Sequence, residues 1–211
     1  MFFYGPLAVS IGAHSAVVTL SMQPSDPVQR LKVQVTFMRM DARPVSPVPA
    51  LPGDVRVEKV RHCSVPFYRY LYDTVGAPWL WWMRRIASDA ELAGLLGHPS
   101  VSVHVLMRDG EPYGFYELDH RAGQTVNLSY FGLMPWAIGT GLGAAFLRQA
   151  VDAAWHIGLP AVTVNTCNAD HPRALPGYLA AGFRRLRAVE EVWPVPLSLG
   201  MRMPPHLPRV G

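Results

Sequence analysis

The fold of this chain is decided at residues 133–143, which read Leu-Met-Pro-Trp-Ala-Ile-Gly-Thr-Gly-Leu-Gly. The residues before the glycines have the character of a strand, and the apolar residues after them recur at helical spacing. Residues 139–143, here called the glycine turn, therefore join a strand to a long helix. Glycines let a phosphate come close, and the free N–H groups and dipole of the first helical turn attract it. The stretch predicts an anion-binding turn, although close packing of helix on sheet would explain such glycines about as often.

Two other phosphate-binding motifs fit this stretch poorly. A dinucleotide-binding loop follows the first strand of a βαβ unit, whereas three antiparallel-looking strands precede the glycines here. A P-loop is excluded because no Gly-Lys-Ser/Thr sequence follows the glycines. The turn must therefore belong to a different kind of fold.

The segments around the glycine turn alternate between strands and helices. Ser88, with Glu91 three residues later, forms a capping-box pattern at the start of one helix. The order of elements predicts the α+β class, with an antiparallel sheet that becomes α/β toward the C-terminus. We predict strands at 55–60, 101–105, 112–118, 125–133, 161–166 and from 183 onward, and helices at 65–75, 88–97, 142–157 and 174–181.

A second motif follows at residues 171–183, with the pattern His-x-x-Ala-x-x-x-Tyr-x-x-x-Gly-Phe. Together with Leu-Met-Pro-x-x-x-Gly-x-Gly-x-Gly, it resembles the GNAT superfamily of N-acetyltransferases, whose second motif usually begins with Asn. The resemblance covers roughly residues 55–195. It implies a mixed, mostly antiparallel sheet flanked by helices, in which two strands splay apart to form a cleft for acyl-CoA. Acetyl-CoA is the cofactor that it implies.

The resemblance also assigns cofactor-binding residues. It implies that the backbone of Leu133 and Met134 binds the pantetheine arm. The second motif contributes His171, which departs from the usual Asn, and Asn168 is an alternative for that role. Ile138 replaces the usual Arg or Gln, so a side-chain contact to the cofactor is lost. The pyrophosphate is expected on the backbone amides of Ile138, Gly139, Thr140, Gly141, Leu142, Gly143 and Ala144.

The same resemblance identifies Tyr178 as the general acid, because a phenol with a pKa near 10 can protonate a departing thiolate. The base is harder to assign, since the usual Glu of the fourth strand is replaced by Asn127. A hairpin turn at Ala122 would place Asn127 opposite Glu117, which makes Glu117 the candidate proton acceptor. A solvated strand position is the alternative for Glu117. Cys167 is interpreted as structural rather than as a ping-pong nucleophile.

An aromatic-rich segment at residues 67–82 lies where this family builds its acceptor site. Its rings could bind an apolar or aromatic amine or stack on a cation, and core packing is the common alternative. The acceptor is expected to be the amine of a small molecule. The residues predicted to bind it are Tyr72, Trp79, Trp82, Asn127 and Ser129.

Composition excludes several classes of protein. Of the 211 residues, 50% are hydrophobic and 16% charged, which excludes extensive disorder. The net charge of +4 is scattered, so we expect no nucleic-acid partner. The absence of a long apolar run predicts no membrane span, and the eight histidines lack metal-ligand spacing. Two isolated cysteines favour a reducing, cytoplasmic location. The sequence leaves open whether the protein is a monomer or a homodimer.

The chain is predicted to divide into a proline-rich N-terminal extension at residues 1–52 and an acetyltransferase domain at residues 53–211. Dense prolines disfavour helix, so the extension is expected to be extended or loosely packed, with one short strand near residues 33–37. In a second interpretation the functional chain begins later, at Met22, Met38 or Met40.

The favoured function is acetyl-CoA-dependent transfer of an acetyl group to the primary amine of a small or amino-acid-like acceptor, directly within a ternary complex. The alternative is a catalytically idle module that binds acyl-CoA as a sensor or interaction domain. The absence of the strand-four Glu and the presence of Ile138 in place of the usual Arg or Gln suggest the idle module, whereas Tyr178 favours an enzyme.

Overall fold

The structure of the protein is a computed structural model that describes residues 26–211. It confirms the predicted α+β class, with a mixed, mostly antiparallel sheet flanked by helices. The strands are β1 (Val28–Met40), β2 (Val55–Lys59), β3 (Val101–Arg108), β4 (Glu111–Asp119), β5 (Val126–Leu133), β6 (Val162–Cys167), β7 (Arg184–Pro196) and β8 (Arg209–Val210). The helices are α1 (Val65–Gly76), α2 (Met83–Ile86), α3 (Asp89–Leu96), α4 (Leu142–Trp155) and α5 (Ala174–Ala180). None of the helices within this described part has the length and apolar character needed to cross a membrane.

Local sequence signals explain where the helices begin. The predicted capping box is confirmed: the Ser88 amide donates to Glu91 Oε2 at 2.7 Å, and the Glu91 amide donates to Ser88 Oγ at 3.3 Å. In α5, Pro176 lies in the first turn, where its missing N–H has no helical acceptor to satisfy. These signals fix the first residues of α3 and α5.

The sheet has the strand order β2-β3-β4-β5-β6-β1-β7, with β8 added beside β1. Within residues 26–211, β5 and β6 are the parallel pair, and they are joined at residues 126–128 of β5. Beyond Leu128 the two strands separate, which confirms the predicted cleft. Ser129 is an extra residue in β5, because Glu117 pairs with Tyr130 while Leu118 pairs with Leu128. Such a bulge bends its strand, and here it bends β5 where the cleft opens.

The short strand predicted near residues 33–37 is confirmed, but it is longer than expected, so the prediction of a loosely packed arm is wrong for the rest of residues 28–40. These residues form β1, which lies inside the sheet and pairs with both β6 and β7. Apolar side chains such as Leu31, Val33 and Val35 alternate along β1 and are buried. The prolines flank β1 rather than interrupt it, so they do not oppose strand formation. The boundary predicted between residues 52 and 53 therefore separates a strand from its own sheet.

Residues 41–52 lie along α4. Arg43 Nη2 contacts Asp152 Oδ1 at 2.5 Å, and Arg148 Nη2 donates to the Ser46 carbonyl at 3.0 Å. A functional chain starting at Met38 or Met40 would lose most of a central strand. The remainder of the predicted extension, residues 1–25 with Met22, lies outside the described residues.

The core surrounds the cleft on both faces of the sheet. On one face α4 buries Phe146, Ala150 and Ala154. On the other face α1 buries an aromatic and aliphatic stripe that includes Tyr68 and Leu71. Full burial of a side chain as large as Phe146 stabilises the fold by about 1.5–3 kcal/mol. The two layers hold the splayed ends of β5 and β6 in a fixed position.

Candidate active site

A cavity of about 1070 Å³ occupies the cleft between β5 and β6. Its wall includes residues 128–133 of β5, the glycine turn, the first turns of α4 and α5, and the segment between α1 and α2. Residues of β1 and β7 close the far side, where Val35 and Trp193 line it. The cavity therefore extends from the glycine turn to the aromatic-rich segment that the sequence assigned to an acceptor.

Backbone conformation explains the glycines of the turn. Gly139 has φ 86° and Gly141 has φ 84°, both in the left-handed region that other residues rarely adopt. A Cβ at either position would meet no atom within 4 Å, so this surface of the turn is open. Helix α4 begins at Leu142 with no side-chain cap and no acidic residue in its first turn. Its first N–H groups are therefore free to bind an anion.

Basic side chains also line the cavity. Arg148 and Arg173 belong to its wall, as do Gly143 and Ala144, whereas His171 lies against the Trp79 ring, with centroids 5.0 Å apart. Guanidinium groups and helix N-termini are the usual partners of phosphates in proteins. The residues present therefore fit the pyrophosphate of coenzyme A.

Most of the predicted cofactor-binding residues line this cavity. The lining set is Leu133, Ile138, Gly139, Gly141, Gly143, Ala144 and His171. The side chain of Leu142 is buried in the core, and the Thr140 hydroxyl donates to the Ala137 carbonyl at 2.7 Å. Both residues are in the turn without lining the cavity wall.

The structure places Met134 and Asn168 differently from the prediction. The Met134 amide donates to the Tyr113 carbonyl, and its own carbonyl accepts from the Ala137 amide, both at 2.9 Å. Those backbone groups therefore already have protein partners. The amide of Asn168 donates to the carbonyl of Gln34 in β1, and its side chain accepts from the Gln34 amide. Asn168 therefore extends the pairing of β6 with β1, and His171 is the residue that reaches the cavity.

Tyr178 lines the cavity from α5, with its ring against Phe131 and Phe183. Burial, together with the nearby Asp170 and Cys167, raises the pKa of Tyr178 above its usual value. No hydrogen bond among residues 26–211 uses its hydroxyl as donor or acceptor. A phenol that stays protonated and has no protein partner is able to donate to a ligand.

The predicted register that put Glu117 opposite Asn127 is wrong. Asn127 pairs with Asp119, and Glu117 pairs with Tyr130. Two of the three positions of this difference arise because the hairpin is centred on Gly123 rather than Ala122, and the bulge at Ser129 adds the third. Asn127 does not line the cavity. Its side chain donates to Ser129 Oγ at 3.0 Å and accepts from Thr163 Oγ1 at 3.1 Å.

Glu117 lies beneath the cavity rather than on its wall. Its side chain is 0% exposed, and it does not belong to the lining set. Oε1 accepts from Arg84 Nη2 at 3.0 Å, and Oε2 accepts from the Tyr68 hydroxyl at 2.5 Å. The structure therefore does not bring Glu117 to the place where an acceptor amine could reach it.

Arg84 connects this buried carboxylate to the cavity. Burial is the largest single influence on the pKa of Arg84 and lowers it, but the charge on Glu117 and the neighbouring tyrosines together raise it further, so the guanidinium stays charged. It lies 5.4 Å from the ring centroid of Tyr130, and the Arg84 amide donates to the Tyr72 hydroxyl at 3.2 Å. Tyr72 and Tyr130 both line the cavity. Glu117 and Arg84 thus hold the tyrosines of its wall.

Four of the five predicted acceptor residues line the cavity: Tyr72, Trp79, Trp82 and Ser129. Trp81, which the sequence analysis did not select, also lines it and packs against Tyr72 and Tyr130, with centroids at 5.4 and 5.0 Å. The part of the cavity lined by aromatic rings is here called the aromatic half, and its residues are Tyr72, Trp79, Trp81, Trp82, Tyr130 and Trp193.

Sequence reasoning missed Asp170, which lines the cavity immediately after β6. Its carboxylate accepts from Thr166 Oγ1 at 2.7 Å, the Cys167 amide at 2.9 Å and Trp81 Nε1 at 3.4 Å. Burial raises its pKa, although these hydrogen bonds oppose the shift. The signal was its place at the carboxyl end of a strand, where ligand-binding residues of α/β sheets concentrate.

Cys167 also lines the cavity, and burial together with the nearby Asp170 raises its pKa. A thiol in that state is a poor nucleophile at neutral pH. Across residues 26–211 there is no cluster of three or more His, Cys, Asp or Glu side chains that could hold a metal ion.

Known structures share this fold. The GCN5-related N-acetyltransferase from Sphaerobacter thermophilus superposes with a TM-score of 0.59 at 15% identity, covering 81% of this chain and 53% of that chain. A GCN5-related N-acetyltransferase from Kribbella flavida gives 0.56 at 16% identity, covering 83% and 63%. This chain thus spans less than two thirds of either protein's length. No curated protein matches the sequence.

The family model described as acetyltransferase (GNAT) family matches residues 61–183 of the 211. The match includes the splayed strands, the glycine turn and Tyr178. Members of this family generally use acetyl-CoA and act as N-acetyltransferases. The chain belongs to the acetyltransferase (GNAT) family.

Proposed function

We propose that this protein is an N-acetyltransferase that moves the acetyl group of acetyl-CoA to the primary amine of a small or amino-acid-like acceptor. The observation that carries the proposal is the single cavity that joins the glycine turn to the aromatic half. One end has the free N–H groups and cations that suit phosphates, and the other has rings and a carboxylate that suit an amine.

The cavity volume supports direct transfer within a ternary complex. Small-molecule sites usually occupy about 300–1,000 Å³, and this cavity of about 1070 Å³ is slightly larger than that range. The pantetheine arm and an acceptor can therefore lie in it together. The raised pKa of the Cys167 thiol argues against a covalent acyl-cysteine.

The residues have distinct roles in this proposal. Gly143 and Ala144, at the start of α4, hold the pyrophosphate through their backbone amides, and Arg148 and Arg173 balance its charge. When bound, acetyl-CoA supplies a thioester whose acyl carbon an amine can attack. Tyr178 donates a proton or a hydrogen bond to the departing sulfur, because it remains a phenol at neutral pH.

The two free cysteines of the chain, Cys63 and Cys167, are consistent with a reducing compartment. We therefore place the enzyme in the cytoplasm.

A second candidate function, a catalytically idle module that binds acyl-CoA, is favoured by two observations. Ile138 is 41% exposed at the position where the resemblance expects a polar cofactor contact. The strand-four position of the usual Glu is Asn127, which carries no carboxylate and does not line the cavity.

The test is release of the coenzyme A thiol from acetyl-CoA in the presence of a panel of primary amines, with mass spectrometry of the amine product. If the protein is an N-acetyltransferase, we expect thiol release that depends on the amine and is accompanied by an N-acetyl product. If acetyl-CoA binds in calorimetry but no amine in a broad panel is acetylated, the idle module replaces the enzyme as the function.

A further inference from the structure

We propose that Asp170 binds the acceptor's ammonium group and takes its first proton, and that the acceptor is a cationic amine on an aromatic or flat apolar body. The inference rests on the proposed acetyl transfer and deepens it. The resemblance leaves the proton acceptor unassigned once Glu117 is found outside the cavity, and Asp170 is a carboxylate that lines it.

The hydrogen bonds of Asp170 leave one oxygen available. Oδ2 is taken by the Thr166 hydroxyl at 2.7 Å and the Cys167 amide at 2.9 Å. Oδ1 accepts a long contact from the Trp81 indole, at 3.4 Å. A carboxylate oxygen can accept two hydrogen bonds, so Oδ1 can receive at least one more donor.

The carboxylate also lacks a cationic partner. No ion pair between residues 26 and 211 involves Asp170, and the groups that donate to it or lie close to it, the Cys167 thiol included, are neutral. Glu117, the other deeply placed carboxylate, is paired with Arg84 at 3.0 Å. A buried carboxylate without a cation is costly unless a charged ligand completes it. An ammonium ion is the charge that would do so.

Asp170 lies between the two halves of the cavity. Its charge acts on Tyr178 of α5 and on Tyr130 of β5, and also on Cys167 at the end of its own strand. The other charged or titratable side chains that line the cavity are Tyr72, Arg148, His171, Arg173 and Glu191. An amine held at Oδ1 would therefore be near both the proposed proton donor and the aromatic half.

The aromatic half determines which kind of apolar group the acceptor amine can carry. Trp79, Trp81, Tyr130 and Trp193 line it, and Trp81 itself donates to the Asp170 carboxylate. Ring faces attract cations and pack against flat apolar groups. An amine joined to an aromatic ring by a short chain places its charge on Asp170 and its ring among these side chains.

The protons and bonds balance in this scheme. The ammonium gives its first proton to Asp170 Oδ1, which later releases it to water. The freed nitrogen lone pair forms the nitrogen–carbon bond while the carbon–sulfur bond breaks. The second nitrogen proton replaces the one that the sulfur takes from Tyr178. The products are the amide, a thiol and one released proton.

Equilibrium binding tests the site without relying on turnover. Calorimetry on the protein saturated with coenzyme A compares 2-phenylethylamine, ethylamine and 2-phenylethanol near pH 7.5. We expect 2-phenylethylamine to bind at least about tenfold more tightly than either of the others. Asp170→Asn should remove that advantage over 2-phenylethanol while coenzyme A affinity stays within about twofold. Asp26→Asn, on the exposed surface, is the matched control and should bind as the wild type does.

Unchanged affinity of Asp170→Asn for 2-phenylethylamine would overturn the ammonium site. Equal affinity of the wild type for ethylamine and 2-phenylethylamine would overturn the aromatic acceptor class. Thermal denaturation of each variant verifies folding. Asp170-dependent amine binding without thiol release would refute acetyl transfer and leave the ammonium site standing, whereas acetylation that is unaffected in Asp170→Asn would refute the inference alone.

If Asp170→Asn fails to fold, a second variant that retains the Asp170 carboxylate tests the proposal. The Thr166 hydrogen bond stabilises the charged carboxylate and lowers its pKa. Thr166→Val removes the bond, so the acid limb of kcat/KM should move to higher pH. An acid limb that stays in place would contradict proton transfer to Asp170.

Discussion

Arg84 donates from Nη2 to Glu117 Oε1 at 3.0 Å, in a pair whose side chains are 12% and 0% exposed. The pair lies under the cavity, and its arginine supports the Tyr130 ring that forms part of the wall. Because Glu117 is buried and paired with Arg84, it affects the cavity only by holding Arg84 and the tyrosine ring next to it. The acidic side chain that best matched a base in the sequence is thus a positioning residue in the structure.

Glu117→Gln is therefore expected to lower stability more than it changes chemistry. Loss of the negative charge leaves the Arg84 guanidinium buried without its partner, which costs about 3–5 kcal/mol in comparable pairs. Chemical denaturation measures the loss. Glu58→Gln, which breaks an exposed pair with Arg56, is the control and should change stability by less than about 1 kcal/mol.

The shape of the pH–rate profile should stay the same in folded Glu117→Gln. A variant with wild-type stability and a displaced acid limb would return Glu117 to the role of proton acceptor.

Gly143→Glu should abolish acetyl-CoA binding, because its carboxylate would lie beside the first N–H groups of α4 and repel the pyrophosphate. Gly143→Ala is the matched control. A Cβ at Gly143 meets Leu133 Cδ1 at 3.5 Å, an ordinary contact, so the alanine variant should bind nearly as the wild type does. Thermal stabilisation by acetyl-CoA reports both results, and full stabilisation of the folded glutamate variant would remove the phosphate site from the glycine turn.

Tyr178→Phe keeps the ring that packs on Phe131 and Phe183 and removes the hydroxyl. Acetyl-CoA should bind unchanged, while turnover falls by roughly 10²-fold or more, the usual scale for a positioned proton donor. Steady-state kinetics with a good acceptor measures the effect. Turnover equal to that of the wild type would leave Tyr178 as a packing residue.

The stability of the fold should decrease in acid partly because of His104. Burial and the nearby Lys59 lower the pKa of His104 to about 4, from an ordinary value of 6.5. The unfolded chain binds the proton at a higher pH than the folded chain, so this contribution to stability is present above about pH 6.5 and is lost as pH falls toward 4.

His104→Phe keeps a ring stacked on Tyr116 and removes the titrating group. Between pH 7 and pH 4.5 it should lose less stability than the wild type, by roughly 1–3 kcal/mol. Denaturation curves at the two pH values give the comparison, and equal losses in both proteins would show that His104 does not titrate as described.

The sequence predicted the parts of the fold whose signals are local. The glycine turn, the capping box at Ser88 and the start of α5 each depend on residues within one or two turns, and the structure confirms them. The full length of β1 could not be predicted because prolines on both sides of it disfavour regular structure, although Leu31, Val33 and Val35 alternate as in a strand. Its place between β6 and β7 depends on long-range pairing, which no local pattern contains.

In the candidate site, too, features that depend on local sequence could be predicted and features that depend on long-range pairing could not. The cofactor end could be predicted from the motif, because the turn and the helix start that form it are contiguous. The register between β4 and β5 could not, since the hairpin is centred on Gly123 rather than Ala122 and a bulged residue at Ser129 adds a further shift, so that Glu117 meets Tyr130 and not Asn127. Asp170 meets Trp81 across 89 positions of sequence, so their contact becomes visible only in the folded chain.

A crystal structure of the protein with coenzyme A would show whether the glycine turn holds the cofactor. We expect pyrophosphate oxygens within about 3 Å of the backbone amides at the start of α4, with the sulfur between the splayed ends of β5 and β6, on the side of Tyr178. Coenzyme A bound outside this cleft, or with its phosphates away from the glycine turn, would refute the proposed cofactor site.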